Sequence, residues 1–377
     1  MSVEFIGILG HREGSESRAP QGPVIDPAYL GAIARAHEYA GFDRALVGYH
    51  SSQPDGFQVV AYAAQQTERL QFLLAHRPGF LPATIAARNL ATLDHFSNGR
   101  LAVHIITGGD DVDQQRDGDF LTHDERYERT DEFLDVVTRF WSSPTPFDHD
   151  GKHYKVKNSL AAVKPLQKPR VPIYFGGASD AAIQVGAKHA DVYALWGETL
   201  AQVRETVDKV RTAAAKYGRA EQIRFSLSLR PVLGPTEAEA WARADRIFEA
   251  AKAQGGSAGV VPSGRVGGGS VGSQRLREAA ALGRVVDKRL WTALATLPNA
   301  RGSVTGLVGT GEQVAESLLD YYDAGISTFL IRGFDPIEDA LGYGRELLPR
   351  VRAAVAQRER SSAAQVAEAR PELAVAS

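Results

Sequence analysis

The chain has 377 residues, of which 44% are hydrophobic, so it is long enough to bury a large core. Its 43 basic and 45 acidic residues are mixed along the sequence and give a net charge of −2, without the basic blocks that nucleic-acid or membrane-surface binding requires. It contains no cysteine, which excludes disulfides, thiolate metal sites and a cysteine nucleophile. No stretch approaches the ~20 apolar residues of a membrane span or the apolar core of a signal peptide. We therefore expect a cytoplasmic protein whose ligands are small neutral or anionic molecules.

Eight short apolar runs predict β-strands that alternate with helices. The strands are expected at Phe5–Leu9, Ala45–Val47, Leu70–Ala75, Leu101–Ile106, Pro172–Phe175, Val192–Leu195, Ile223–Leu229 and Thr328–Ile331. Helical periodicity is found at Tyr29–Ala40, Ala83–Phe96, Tyr127–Trp141, Ala181–Ala190, Ala201–Tyr217, Thr310–Ala324 and Ile337–Val355. Apolar strands separated by helices favour a covered parallel sheet, and eight such units favour its closure. The sequence therefore predicts an α/β fold, a (β/α)8 barrel.

Three segments interrupt this repeat and are expected to be insertions: Gly108–His123, the hairpin-like Phe147–Lys157, and Gly255–Ser273. The last is so rich in glycine and so poor in apolar side chains that it cannot hold a packed structure by itself. A mobile active-site lid is the functional interpretation, and a solvated linker is the alternative. We expect one barrel domain over residues 1–357, followed by a tail, residues 358–377, that forms a frayed helix or an interface arm.

Polar residues follow every predicted strand, at the end of a parallel barrel where active sites form. They are His11, His50 with Gln53, His76 with Arg77, Thr107-Gly108-Gly109, Gly176-Gly177-Ala178-Ser179, Trp196-Gly197-Glu198, Arg230, and Phe334-Asp335. Because three histidines and two arginines converge there, a functional pocket is favoured over a chance scatter of surface residues.

The stretch Phe175-Gly-Gly-Ala-Ser-Asp180 ends a predicted strand with two glycines and offers Ser179 or Asp180 as the cap of the next helix. The N–H groups and dipole of such a helix start attract phosphate, although a simple turn with an N-cap is the alternative. Arg126 and Tyr127, in the first turn of the helix that opens at His123, can reach a phosphate. A charged, solvated turn is the alternative interpretation of this helix start.

Two short motifs that are typical of other enzyme classes occur in the sequence, but outside the structural context that those classes require. Both the G-x-G-x-x-G match, Gly267 to Gly272, and the G-x-S-x-G match around Ser270 lie inside the glycine-rich segment. Neither a dinucleotide-binding domain nor a serine hydrolase is therefore indicated. His149 and His153 have H-x-x-x-H spacing but flank Gly151, where no shared helix face is expected, so we predict no metal site.

The stretch Leu81–Arg100, LPATIAARNLATLDHFSNGR, resembles the third-helix signature of the luciferase-like monooxygenases. The likeness continues in order through His104-Ile-Ile-Thr-Gly108, His123-Asp-Glu-Arg-Tyr127, Tyr174-Phe-Gly-Gly-Ala-Ser-Asp180, Leu195-Trp-Gly197 and Leu307-Val-Gly-Thr-Gly311. These motifs are most similar to those of the two-component alkanesulfonate monooxygenases.

The resemblance implies a luciferase-like (β/α)8 TIM barrel that takes reduced FMN (FMNH2) from a separate NAD(P)H:flavin reductase and forms a C4a-peroxyflavin with molecular oxygen. It implies a homodimer or homotetramer and a water-poor pocket, with Gly255–Ser273 as its lid. The implied cofactor-binding residues are Tyr127, Gly177, Ala178 and Ser179 at the FMN phosphate, with Thr107 and His123 along the flavin. The implied reaction-centre residues are His11, His76, Arg77 and Trp196.

The chain departs from the sulfonatase pattern in three places. It has Ser228-Leu-Arg230 where that branch carries Arg-x-His, Phe334-Asp-Pro336 where it carries Tyr-Pro-His, and Gln53 where it carries a cysteine. A simple alkanesulfonate is therefore not the expected substrate. Arg230 can restore one positive charge at the reaction centre and Arg301 another, because a guanidinium binds anionic oxygens in pairs. An ordinary exposed arginine is the alternative at both positions.

These observations lead us to expect a peroxyflavin-dependent oxygenation of a small organic molecule, with an organosulfur compound of the sulfonate or sulfone type as the substrate. Two alternatives remain open. One is a deazaflavin F420-dependent oxidoreductase on the same barrel, and the other is a noncatalytic flavin-binding protein.

Overall fold

The computed structural model describes residues 2–254, 270–297 and 304–368. Its strands in these ranges are β1 (Glu4–Ile8), β2 (Arg44–Val47), β3 (Gln71–His76), β4 (Leu101–Ile105), β5 (Phe147–Asp150), β6 (Lys155–Ser159), β7 (Ile173–Gly176), β8 (Val192–Trp196), β9 (Arg224–Leu233), β10 (Val285–Val286), β11 (Leu290–Trp291), β12 (Gly306–Gly309) and β13 (Thr328–Ile331). Its helices are α1 (Pro27–Tyr39), α2 (Gly56–Ala64), α3 (Ala83–Phe96), α4 (Asp111–Arg116), α5 (His123–Ser142), α6 (Asp180–His189), α7 (Leu200–Ala215), α8 (Glu237–Ala253), α9 (Val271–Ala281), α10 (Gly311–Asp323), α11 (Pro336–Glu346) and α12 (Leu348–Glu368).

Eight parallel strands close into a barrel in the order β1-β2-β3-β4-β7-β8-β9-β13, and β13 pairs with β1. The predicted (β/α)8 fold is therefore confirmed. Each predicted strand lies within one residue of its observed limits, except at the end of β9. The apolar runs located the strands because both faces of a barrel strand are buried, one against the helices and one inside the barrel.

The strand β9 runs four residues further than predicted and changes partners on the way. Its first part pairs with β8 and β13, and Arg230–Leu233 pairs with β12. Strands β11 and β10 then extend this edge in antiparallel fashion. Arg230 consequently lies within a strand, contrary to the expectation that it follows one in a loop.

The predicted helical stretches are confirmed, but the last of them is two helices. The chain breaks at Leu347 between α11 and α12, because Pro349 has no N–H to continue the hydrogen-bond ladder. The expected C-terminal tail begins inside α12. Sequence analysis did not anticipate α2, α4, α8 or α9. Within the described ranges, no helix combines the length and apolar character needed to cross a bilayer.

Two of the expected insertions are described in full. The segment Phe147–Lys157 begins the antiparallel pair β5 and β6, which continues to Ser159. Glu132 of α5 holds the pair by accepting the backbone N–H groups of His153 and Tyr154. The segment Gly108–His123 contains α4. Of the third, Gly255–Ser273, residues 255–269 lie outside the described residues, and the remainder begins α9.

Side chains on the strands alternate between two buried layers. Phe72, Val103 and Phe175 belong to the large cluster between strands and helices, whereas Leu73, Ala102 and Tyr174 pack inside the barrel. This alternation follows from the two-residue repeat of a strand. It decides which residues near the strand ends point into the barrel.

Arg100, the last residue of the Leu81–Arg100 signature, joins three elements. Its guanidinium donates to the carbonyl oxygens of Ala64 and Leu70 and to the Thr67 hydroxyl, and its Nε donates to the Ser97 carbonyl. One side chain thus satisfies the ends of α2 and α3 and the start of β3, where carbonyl groups have no partner in their own helix.

We expect Arg100→Ala to lower the free energy of unfolding by about 3 kcal/mol, because it leaves several partly buried carbonyls without donors. The matched control is Arg88→Ala, since Arg88 is exposed on the preceding helix α3 and its loss should change stability by less than about 0.5 kcal/mol. Urea denaturation monitored by circular dichroism measures both. Equal effects of the two substitutions would contradict the assignment.

Candidate active site

Four residues near the carboxyl ends of the strands face the inside of the barrel and are accessible. Gly176 pairs with Ala194, and Trp196 pairs with Ser228, so these four residues share the interior face. All four are partly accessible, whereas the interior layer below them, which includes Ala102 and Tyr174, is buried. The barrel is therefore open to solvent at this level, and we call this accessible space the cavity.

Three predicted cofactor-binding residues meet at the rim of this cavity. The Tyr127 hydroxyl, near the start of α5, lies close to the hydroxyls of Ser179 and Thr107, and burial raises its pKa. Thr107 is buried after β4, and its hydroxyl lies 3.4 Å from that of Thr130. Ser179 is the N-cap of α6 and accepts the Ala182 N–H at 3.3 Å. The structure therefore brings together residues that are 72 positions apart, from 107 to 179.

Gly177 is held against this group too tightly for a side chain. A Cβ at this position would lie 2.5 Å from the Ala182 Cβ and 2.9 Å from the Tyr127 hydroxyl. The Gly177 carbonyl accepts a hydrogen bond of 2.7 Å from the Tyr193 hydroxyl. Ala178 is half-buried between Gly177 and the helix start. Glycine is thus required for the β7–α6 turn to approach Tyr127.

His123 lies at the outer edge of the same group. Its ring centroid is 4.9 Å from that of Tyr127, and its Nδ1 lies 2.7 Å from Asp124. Its side chain is 48% exposed, so it is available to a ligand that enters from solvent. Arg126, by contrast, is buried and donates to the Leu121 carbonyl and to Asp111. Contrary to the expectation that it reaches a phosphate, Arg126 fastens the Gly108–His123 segment.

Arg77 and His50 meet a carboxylate from the same segment. Asp113 of α4 lies 2.5 Å from the Arg77 guanidinium and 3.1 Å from His50 Nε2, and it accepts the Ser51 hydroxyl at 2.6 Å. The Arg77 guanidinium also covers the Tyr49 ring at 4.7 Å. The charge of Arg77 is therefore already matched, and the cluster ties α4 to the loops after β2 and β3.

His76 faces the helices rather than the cavity. Its ring packs against Phe57 of α2 at 5.8 Å and Phe133 of α5 at 5.5 Å, and burial lowers its pKa to about 4. It shares this orientation with Leu74 and Phe72, two and four positions earlier on β3. The structure thus places His76 outside the barrel interior, contrary to the prediction that it faces the reaction centre.

The Arg230 side chain also binds other groups of the protein and does not face a ligand site. It has no accessible surface, its guanidinium lies 2.6 Å from Glu16 and 3.7 Å from the Phe334 ring centroid, and it donates to the Gly333 carbonyl. Burial lowers its pKa to about 10. Glu16 pairs with Arg332 as well. The expected anion site at Arg230 is therefore occupied by a carboxylate of the chain itself, and Arg301 lies outside the described residues.

Burial acts to raise the pKa of Glu16, but Arg230 and Arg332 outweigh it and lower the pKa to about 2. The carboxylate is therefore ionised at neutral pH. Because Glu16 belongs to the loop between β1 and α1, this ion pair fastens that loop to β9 and to the end of β13.

His11 lies in the same β1–α1 loop, half-buried, and burial together with Arg12 lowers its pKa. Its backbone carbonyl accepts the N–H of Asp26, the N-cap of α1. The loop thus carries His11 at the mouth end of the barrel, close in sequence to the ion pair that fixes it.

Trp196 is the predicted reaction-centre residue that ends on the interior face. The first turn of α9 lies over it, since a Cβ at Gly272 would be 2.9 Å from the indole ring. The residue before α9 also lies beside the turn after β4, since a Cβ at Gly109 would be 3.1 Å from Ser270. Arg275 anchors this helix by donating to Glu198 at 2.8 Å. The described end of the expected lid therefore lies between the end of β8 and the turn after β4.

A group of possible metal ligands lies elsewhere, on the outside of the barrel. Among the residues that the structure describes, Asp131, Asp135 and His189 have ligand atoms within 4.8 Å of one another. Lys188 already donates to both carboxylates, at 2.9 and 2.8 Å. Its ammonium takes the place that a cation would need.

Sequence reasoning missed three residues that shape the site. His104 faces the interior beside Gly176, Glu16 neutralises Arg230, and Asp113 neutralises Arg77. The two-residue repeat of β4 would have found His104, because it follows Ala102 on the inner face. Glu16 and Asp113 gave no local signal, since their partners are distant in sequence.

Comparison with known proteins settles the family. The model of the luciferase-like monooxygenases matches residues 3–328. The chain belongs to the luciferase-like monooxygenases. It is therefore an enzyme of a monooxygenase family, as the resemblance implied.

Solved structures share the fold of this luciferase-like monooxygenase. A riboflavin lyase, determined with modified FMN and riboflavin, is 19% identical with a TM-score of 0.76, over 94% of this chain and 92% of that one. The EDTA monooxygenase of Chelativorans sp. BNC1 is 20% identical with a TM-score of 0.72, over 94% of each chain. An F420-dependent secondary alcohol dehydrogenase is 17% identical with a TM-score of 0.67, over 93% of this chain and 99% of that one. At such identities the likeness establishes the barrel.

Replacement of Glu16 by Gln should lower the free energy of unfolding at pH 7 by about 3 kcal/mol, because it leaves Arg230 buried without its counter-charge. The ion pairs lower the carboxyl pKa from 4.5 to about 2, so their contribution is complete above pH 4.5 and is lost as the pH falls toward 2. The stability of Glu16→Gln should therefore fall less steeply over that interval than that of the wild type.

Chemical denaturation at a series of pH values from 7 to about 3 measures both effects. Glu13→Gln is the matched control, since Glu13 pairs with Arg18 while the two side chains are 51% and 47% exposed. It should cost less than about 1 kcal/mol. A Glu16→Gln variant as stable as Glu13→Gln would show that the buried pair does not fasten the loop.

Proposed function

We propose that the chain is the oxygenase of a two-component system, which binds reduced FMN from a separate NAD(P)H:flavin reductase and oxygenates a small organosulfur molecule. The observation that carries the proposal is the meeting of Tyr127, Thr107 and Ser179 at the start of α6, above an open cavity. We further propose one barrel domain over residues 1–357 and assembly as a homodimer or homotetramer.

The residues at the rim fit the phosphate end of FMN. The helix α6 starts with a serine cap, and its first N–H groups have no acceptor within the helix. Three hydroxyl groups, from Tyr127, Thr107 and Ser179, lie beside that start, where the helix dipole favours an anion. Gly177 keeps side-chain atoms away from the approach. Ala178 belongs to the same turn, and His123 flanks it from solvent.

The cavity below the rim fits a flat ring. Ala75, Gly176, Ala194 and Ser228 line its inner face with small side chains, and Trp196 supplies an aromatic wall. When bound, reduced FMN supplies the electrons for oxygen, of which one atom enters the substrate and the other leaves as water. The protein binds and orients the reactants and excludes water. The first turn of α9 over Trp196 contributes to that exclusion.

The arginines near the cavity are already paired with carboxylates of the chain, which favours a substrate whose reacting group is uncharged. Arg77 pairs with Asp113, and Arg230 pairs with Glu16. An anionic sulfonate would have to compete with these carboxylates, whereas a sulfone or another neutral organosulfur group would not. We therefore propose a neutral, sulfone-type substrate ahead of a sulfonate.

The test is a reconstituted reaction with a flavin reductase, FMN, NADH and oxygen, offered a panel of sulfones, sulfonates and aldehydes. With a sulfone, mass spectrometry should detect an added oxygen, or the sulfinate and aldehyde that the hydroxylated sulfone releases, above the background of free reduced flavin. Product at background level with every substrate would support a noncatalytic flavin-binding protein. Binding of F420 without affinity for FMN would support the F420-dependent alternative, which the likeness to the alcohol dehydrogenase keeps in view.

Replacement of Ser179 by Ala should weaken FMN binding about tenfold, because a phosphate contact and its helix cap are lost. Riboflavin, which lacks the phosphate, should bind the variant as it binds the wild type. Thr236→Ala is the matched control, since Thr236 caps α8 in the same manner and should leave both affinities unchanged. Quenching of flavin fluorescence measures them. Equal losses for FMN and riboflavin would place the phosphate elsewhere.

A further inference from the structure

One titratable side chain stands among the small residues of the cavity wall and has no task in the fold. His104 of β4 is in register with Ala75 on one side and Tyr174 on the other, so its side chain shares their interior face. Its ring lies beside Gly176, where a Cβ would be 3.5 Å from His104 Cε1. Among the described residues, His104 Nδ1 is buried and has no hydrogen-bond partner.

The position of His104 distinguishes it from a packing residue. Ala102, two residues earlier on β4, fills the interior layer with an apolar side chain and is fully buried. His104 is partly accessible, as are its neighbours Gly176 and Ala194. An imidazole at this level is exposed to the cavity, yet its Nδ1 is withheld from solvent. Because Nδ1 is inaccessible to water, a ligand in the cavity meets the exposed edge of the imidazole, which carries Nε2.

The protonation state of His104 suits an uncharged partner. Burial lowers the pKa of the imidazole to about 4, so the ring is neutral near pH 7. A neutral imidazole carries one donor and one acceptor nitrogen, and its tautomer adapts to the partner. The nearest rim residues are those of the turn that begins at Gly176 and leads to Ser179. A ligand whose phosphate is held at Ser179 therefore extends past His104.

We propose that the exposed Nε2 of His104 makes a hydrogen bond to the polar edge of the flavin ring and so fixes its position in the cavity. This proposal rests on the proposed function. It assigns to His104 the orientation of the ring, separately from the phosphate contacts of Tyr127 and Ser179. No comparable role falls to His76, which has the same lowered pKa and an unpartnered Nε2 but faces the helices.

The test measures binding of oxidised FMN and of riboflavin to the full chain, by fluorescence quenching, for His104→Leu, His104→Asn and the control His76→Leu. His104→Leu should weaken both flavins by the same factor, about tenfold, because the ring contact is common to them. His104→Asn, which restores a neutral hydrogen-bonding group, should recover most of the loss. His76→Leu should bind both flavins as the wild type does. Thermal unfolding of each variant establishes that it is folded.

A second measurement detects the contact directly. In protein labelled with 15N-histidine, the imidazole resonances that disappear in His104→Asn should shift when riboflavin is added. Undiminished binding of riboflavin to a folded His104→Leu, or His104 imidazole resonances that do not move at saturation, would overturn the proposal while leaving the proposed function in place. A selective loss of FMN over riboflavin would also overturn it, since it would point to the phosphate. Failure of the wild-type chain to bind FMN and riboflavin, both in the oxidised form and after reduction with dithionite, would refute both.

Discussion

Closure of the parallel sheet is the constraint on which the rest of this molecule depends. Once β13 pairs with β1, each strand has one face inside the barrel and one against the helices, and successive residues must alternate between them. His76 and His104 illustrate the result, because both are histidines near strand ends. The first packs between two phenylalanines, and the second reaches the cavity. Position within the two-residue repeat, and not residue type, separates a structural histidine from one that can meet a ligand.

The second organising principle is that charges at the mouth are matched within the chain. Glu16 reaches Arg230 and Arg332 from the β1–α1 loop, and Asp113 reaches Arg77 from α4. In each case an insertion or long loop brings the carboxylate to an arginine within or just after a barrel strand. The low dielectric of these sites makes such pairing necessary, since an unmatched buried guanidinium is strongly unfavourable. The loops that frame the cavity are thereby held in place without a disulfide.

Much of this could be predicted from the amino-acid sequence, and the reasons are physical. Strands buried on both faces produce continuous apolar runs, so the eight barrel strands were located almost to the residue. The glycine, serine and tyrosine around positions 127 and 177–179 were recognisable because a helix start beside a strand end has its own local chemistry. The extension of β9 was not, because strand pairing with β12 is a long-range choice that a short apolar run does not reveal. Glu16 and Asp113 were missed for the same reason, since ion pairs between distant loops leave no periodic pattern.

The contact between α9 and Trp196 bears on how the substrate range of such an enzyme can change. Because the helix rests on the indole through Gly272, the ceiling over this part of the cavity is made of backbone. Gly272 has no side chain that could be shortened. A side chain added at this position would displace the helix and strain the Arg275–Glu198 hydrogen bond. Point mutations can therefore reshape the sides of the cavity, which side chains line, more readily than the part that the backbone of α9 covers. A larger substrate would require a shift of the whole helix α9, through an insertion or deletion in the chain that leads into it.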